Sequence, residues 1–260
     1  MDFDELCQLV EKHCKALLQH KGEIYFGSQS ALSNPNGIAL VGLNPGGTGL
    51  DTLSQDLVHW EKSQQRVDSV AYLDMCWHEP FFSERRTCER CCSSLEDPEL
   101  GHVHLQPHQK RVLQISRSVG FDLRSSLAFN AIWLQTKDAE ALVDLLDKLH
   151  LDSMQSVFCT YFFRFFREFF DKCNTRLVIC LGNGEEESSF ALFRDALAVP
   201  SKEVRWVGNN YKDGKYFVHE GSNKVVYFGV PHPSRHAFSD VGLQKLKQLW
   251  LEVKSTSLQH

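Results

Sequence analysis

Three side chains, far apart along the chain, have the right chemistry to act together on one planar, hydrogen-bonding ring. Asn44 follows the apolar run Ile38 to Leu43 and is followed at once by Pro45, Gly46 and Gly47. Pro45 fixes its own φ and restricts Asn44, while the two glycines let backbone come close to a ligand. A carboxamide held there can accept from, and donate to, a water or substrate, although it is no strong base. The competing reading is a turn in which Asn44 bonds its own backbone. His232 stands between Pro231 and Pro233, with Ser234 behind it. Two prolines stiffen that backbone, and an imidazole there can donate to negative charge as it develops; otherwise it is a loop histidine with a carbonyl partner. Asn130 interrupts LAFNAIWL, and a buried amide costs stability unless paired. Its acceptor and donors lie side by side, a match for the N3–H and O4 edge of a uracil, and equally for loop backbone.

A second cluster is of metal-binding type. Cys76, His78, Cys88, Cys91, Cys92, His102, His104 and His108 fall in one segment with few apolar residues. Cys88-x-x-Cys91 followed by His102 or His104 has the look of a structural zinc site, in which thiolates and imidazoles form a tetrahedral shell. A surface loop with incidental thiols is the alternative. A catalytic zinc of the deaminase kind lacks support, because no His-x-Glu precedes a Pro-Cys-x-x-Cys.

The elements that would hold these residues alternate between short apolar strands and helices. Strand patterns are IALVGL, SLAFNAIWLQ over 126–135, RLVICLG and KVVYFGV. Asp2 can cap a helix running to about His20, and another follows SLAFNAIWLQ to about His150. QSVFCTYFFRFFREFFDKC places Phe158, Phe162, Phe165, Phe166 and Phe169 at helical spacing and reads as a buried core helix rather than a cofactor box. EEESSFALFRDAL forms a further helix, residues 204–219 a hairpin around Asp213-Gly214, and Ser239 or Asp240 opens a last amphipathic helix. The alternation predicts an α/β fold, a three-layer sandwich around a mainly parallel central sheet, in a single domain over 1–260 with a Cys/His-rich insertion at about 60–110. In such sheets ligands bind beyond the carboxyl ends of the strands, where NPGG and PHPS both fall.

Composition narrows the setting. Hydrophobic content of 42% and charged content of 23% describe an ordinary globular chain, and no apolar stretch is long enough to span a bilayer. The acidic start MDFDELCQLVEKHCK is unlike a signal peptide, so the expectation is an intracellular protein, cytoplasmic if bacterial and nuclear if eukaryotic. Nine cysteines fit thiols or ligands in that compartment, with Cys159 and Cys180 expected in the core. A net charge of -5 lends no support to a nucleic-acid partner, though steering depends on local field.

Taken in order, GLNPGG after one strand, FNA in the middle and HPS after a late strand resemble the uracil-DNA glycosylase superfamily. GLNPGGTGL is most similar to the first motif of the single-strand-selective monofunctional uracil-DNA glycosylases. The resemblance spans about residues 36 to 250. It implies a glycosylase-like fold for the whole chain and hydrolysis of the N-glycosidic bond of uracil, or a related damaged base, once that nucleotide is flipped out of DNA. Asn44 would orient the attacking water, His232 would stabilise the departing base, and Asn130 would read its edge. Gly42, Gly46 and Gly47 would lie close to the base; Ser234, Arg235 and His236 would contact DNA. The implied partner is uracil- or damaged-base-containing DNA, single- or double-stranded. The expected state is a monomer, with no cofactor needed for catalysis and zinc confined to a structural role at Cys88, Cys91, His102 and His104. Gly47-Thr48 in place of Pro-Phe, and Arg235 in place of a further proline, depart from the branch pattern. A protein on the same fold that binds nucleic acid or a nucleotide with weak or no cleavage is the alternative. The aromatic that would stack on uracil is unassigned among Trp60, Tyr72 and Phe81.

Overall fold

The computed structural model describes residues 1–43, 51–62, 107–136, 139–221 and 223–256. Six strands form one sheet: β1 (Ile38–Gly42), β2 (Leu127–Asn130), β3 (Leu177–Leu181), β4 (Arg205–Trp206), β5 (Lys215–Glu220) and β6 (Lys224–Val230), in the order β2-β1-β3-β6-β5-β4. β2, β1, β3 and β6 run parallel, and β5 and β4 add an antiparallel edge. The parallel strands carry unbroken apolar runs because helices cover both of their faces. The architecture is α/β with a mixed, mostly parallel sheet.

One face is aromatic. Against it pack α1 (Phe3–Cys14), α6 (Met154–Val157), α7 (Phe163–Lys172) and α8 (Ser189–Ala196). A π turn over Phe158–Phe162 joins α6 to α7. Such a turn inserts extra rotation into a helix, and here Phe158, Phe162, Phe165, Phe166 and Phe169 all end fully buried, as their spacing predicted. Phe129 of β2 sits 4.8 Å from the Phe169 ring, and Trp133 sits 4.6 Å from Phe165. Cys180 lies in this core, but Cys159 is exposed, contrary to expectation, because it falls on the outer side of the π turn.

The other face is mostly aliphatic. It is covered by α4 (Pro107–Val119), through Val112, Ile115 and Val119, and by α9 (Asp240–Thr256), through Leu243, Leu246, Leu249, Trp250 and Val253. The other α-helices among the described residues are α2 (Gln29–Ser33), α3 (Leu53–Lys62) and α5 (Ala139–Lys148).

Several boundaries differ from the sequence reading, each for a local reason. α1 opens on a capping box, with the Asp2 carboxylate accepting from the Glu5 N–H at 2.8 Å and the Glu5 carboxylate from the Asp2 N–H at 3.0 Å. It stops at Cys14, and after a 3-10 turn the chain is drawn off to bridge Lys21 with Thr52 and Gly22 with Leu134. β2 ends at Asn130 rather than near residue 135, since Ala131 and Ile132 donate to the carbonyls of Gly42 and Leu43 and bend over the end of β1. The hairpin has no tight Asp213-Gly214 turn. Instead the Asp213 carboxylate accepts from the N–H groups of Asn209 and Asn210, at 3.0 and 3.2 Å, and folds residues 207–214 into a compact loop. α8 begins at Ser189 because Ser188 caps it, which leaves the three glutamates in the preceding loop.

Candidate active site

The chain passes from β1 to β2 on one side of the sheet and then to β3 and β6 on the other. The carboxyl ends of β1 and β3 are therefore the switch point, where open parallel sheets bind ligands. Register fixes what stands there. Gly42 pairs with Asn130, Val41 with Cys180, and Leu181 with Val230, so Asn130, Gly42, Leu181 and Val230 form the last row of the parallel sheet. Side chains alternate along a strand. Ala128, Leu40, Ile179 and Phe228, two residues back, pack toward α4 and α9, and the last row faces the same side.

Asn130 is only 8% exposed. A Cβ built on Gly42 would lie 2.2 Å from Asn130 Oδ1, so the carboxamide lies across Gly42, from β2 toward the middle of the rim. A side chain at position 42 would therefore displace the Asn130 carboxamide, and the φ of Gly42 is not what calls for glycine. Asn44, Gly46 and Gly47 lie just beyond β1, outside the described residues.

His232 follows β6 by two residues, on a turn closed by bonds from the Arg235 and His236 N–H groups to its carbonyl, at 2.9 and 3.1 Å. Its Nδ1 lies 3.3 Å from the Ser234 N–H nitrogen and 2.6 Å from Ser234 Oγ. A backbone N–H can only donate; both contacts are satisfied when Nδ1 accepts and the proton rests on Nε2. Burial lowers the pKa of His232 below its ordinary 6.5, and the Arg235 charge lowers it further. The ring is thus a neutral donor. The Ser234 hydroxyl is engaged with that ring, while Arg235 and His236 are exposed, and the His236 ring lies 5.7 Å from that of Tyr211.

Three residues not assigned to the site from sequence belong to its surroundings. His108, near the start of α4, places its ring 5.8 Å from that of His232, and Arg111 donates to the Pro233 carbonyl. Burial is the main cause that pushes the His108 pKa down to about 3, with His232 and Arg111 adding to it. Asn183, just past β3, is buried; its Nδ2 donates to the Tyr211 carbonyl at 2.9 Å, tying the switch point to the 207–214 loop. An asparagine between two glycines after the RLVICL strand is the same kind of signal as the one at Asn44. His108 was hidden within the cysteine and histidine run.

Beside Asn183, Glu185 takes hydrogen bonds from Lys215 at 2.7 Å and Arg194 at 3.0 Å, which hold its carboxyl below the usual range. The Lys215 side chain is fully buried and its ammonium lies 5.1 Å from the Phe190 ring centre and 5.2 Å from that of Trp206. Among the described residues no three histidines, cysteines or carboxylates are grouped to hold a metal. The zinc expectation for Cys88, Cys91, His102 and His104 falls outside those residues, as do Tyr72 and Phe81. Among the described residues no helix is long and apolar enough to cross a membrane.

The chain was compared with family models, with curated proteins and with solved structures, and it matches none of them.

Proposed function

We propose that the chain is a monofunctional uracil-DNA glycosylase on a uracil-DNA glycosylase-like fold, hydrolysing the bond between deoxyribose C1′ and uracil or a related damaged base. The observation that carries the proposal is the pairing of two groups on one rim. The Asn130 carboxamide reaches inward across Gly42, and His232, a neutral donor, follows the strand three places along the same row. Three ladder spacings come to about 14 Å. On this reading one flat ring is held between the two groups.

The chemistry follows from those groups. A base flipped out of the stack sets its edge against Asn130, which offers an acceptor and donors side by side. The oxygen of a water oriented by Asn44 bonds to C1′, the C1′–N bond breaks, and its electron pair leaves with the base as an anion; the proton released by the water ends on that base through solvent. A donor aimed at the developing charge contributes most when it is fixed beforehand, as Nε2–H of His232 is by its bonds to Ser234. Arg235 and His236 supply exposed contacts to the DNA backbone next to the vacated position. Hydrolysis of this kind needs no cofactor.

A second reading is binding of a nucleic acid or a nucleotide with weak or no cleavage on the same fold; within it Glu186 and Glu187, exposed beside the rim, favour a nucleotide over a polyanion. One assay separates the two. Base release from uracil-containing oligonucleotides, single- and double-stranded, is expected for the parent, with Asn44→Ala and His232→Ala each slower by about 10²–10³. Binding with no release selects the second reading, and equal rates in parent and variants remove the site.

A further inference from the structure

We infer that His108 is the positioning residue for His232, acting from the first turn of α4 together with Arg111. The inference rests on the reading of His232 as the donor to a departing base. α4 begins at Pro107, whose missing N–H is no loss at a first helical position. That start sets His108 and, three residues on, Arg111 on one side of the helix. The helix then touches the 231–236 turn at two points. The His108 ring meets the His232 ring at 60°, and the Arg111 guanidinium holds the Pro233 carbonyl. Val112, Ile115 and Val119 seat the same helix in the core, so the turn is fastened to the scaffold and not only to itself.

The electrostatics of this arrangement are unlike those of a histidine activated by a carboxylate, whose partner favours the charged ring. The charged group acting on His232 is Arg235 from its own turn, while Arg111 of α4 acts on His108. His108 is itself held neutral, chiefly by burial, with His232 and Arg111 adding to it. A second neutral ring fills the flank of His232, excludes water there and adds no charge. His232 thereby keeps the orientation in which Nδ1 meets Ser234, whose contacts set the tautomer, and Nε2–H is free to serve.

The test is nitrogen NMR of the histidine rings in the full chain, with His232 assigned from its own substitution, alongside kinetics of base release. In the parent, His232 is expected as the Nε2–H tautomer, titrating below 6.5. His108→Ala should raise the pH at which His232 titrates and mix its tautomers. It should also lower kcat by roughly 10- to 100-fold with little change in KM, the cost of a ring misplaced by a fraction of an ångström to 1 Å. His108→Phe keeps an aromatic edge and should restore most of the loss; Arg111→Met should act like the alanine variant, more weakly. If His108→Ala does not fold, the Phe and Met variants carry the test through the tautomer alone. Unchanged His232 tautomer and titration in His108→Ala and Arg111→Met overturns the inference, and so does a Phe variant as impaired as the Ala variant. A shifted tautomer in a protein that releases no base supports the positioning role and removes the glycosylase reading instead.

Discussion

The two faces of the sheet are built differently, and the difference separates stability from chemistry. On one face Phe129, Trp133 and the rings of the 158–170 segment interlock at centroid distances of 4.6 to 6.3 Å. Edge-to-face pairs of this kind are rigid and add to the energy of burial. On the other face the core is mostly aliphatic, and its carboxyl end gives way to Asn130, Gly42, His232 and His108, whose polar atoms are fixed by a few hydrogen bonds and close approaches. Polar groups under such constraint are costly to misplace, so this is where small changes should alter function without unfolding the chain.

The strongest way to break that contrast is to damage the aromatic face. Phe166→Ala should cost about 3–5 kcal/mol in denaturant unfolding while leaving base release per folded molecule near the parent rate. An equal loss of turnover would show the two faces to be coupled. Gly42→Ala should do the reverse. Its new methyl displaces the Asn130 carboxamide, which is the free end of a side chain, so kcat/KM should fall by about a hundredfold with the melting temperature little changed.

Acid should act through the polar face. His108 has its pKa lowered on folding, from 6.5 to about 3, so between those values the unfolded chain binds a proton that the folded one refuses. Its contribution is fully present above 6.5 and is lost progressively as pH falls toward 3. Melting measured against pH should show this fall, and His108→Phe should flatten it. The smallest effect is expected far from both regions: Asp2→Ala removes the capping box of α1 and should cost about 1 kcal/mol, with no effect on turnover.

Much of the scaffold was legible because buried parallel strands and the phenylalanine stripe follow from hydrophobic pattern alone. β1, β3 and β6 fall where the apolar runs put them, and the helix over the stripe lies where its period does. Errors fell where a pair of hydrogen bonds overrides pattern: SLAFNAIWLQ reads as one long strand, yet Ala131 and Ile132 bond to the end of β1 and the strand stops at Asn130. Asp213-Gly214 reads as a turn, yet the Asp213 carboxylate organises a longer loop. Of the candidate site, the burial of Asn130 and the candidacy of His232 could be read from their odd settings, a polar residue in an apolar strand and a ring between prolines. The lean of Asn130 over Gly42 and the approach of His108 could not, because both depend on strand register and helix placement across gaps of many residues.

Both borders of the sheet are shielded. Beyond β2, residues 22–26 run alongside, with Tyr25 bridged to Phe129 and the Phe26 N–H donating to the Ala128 carbonyl at 2.8 Å. At the far side β4 is two residues long, which leaves little ladder for another chain to extend. Strand-by-strand growth between molecules, the usual route from a folded sheet to fibrils, is thereby hindered where residues 22–26 cover β2 and where β4 is short.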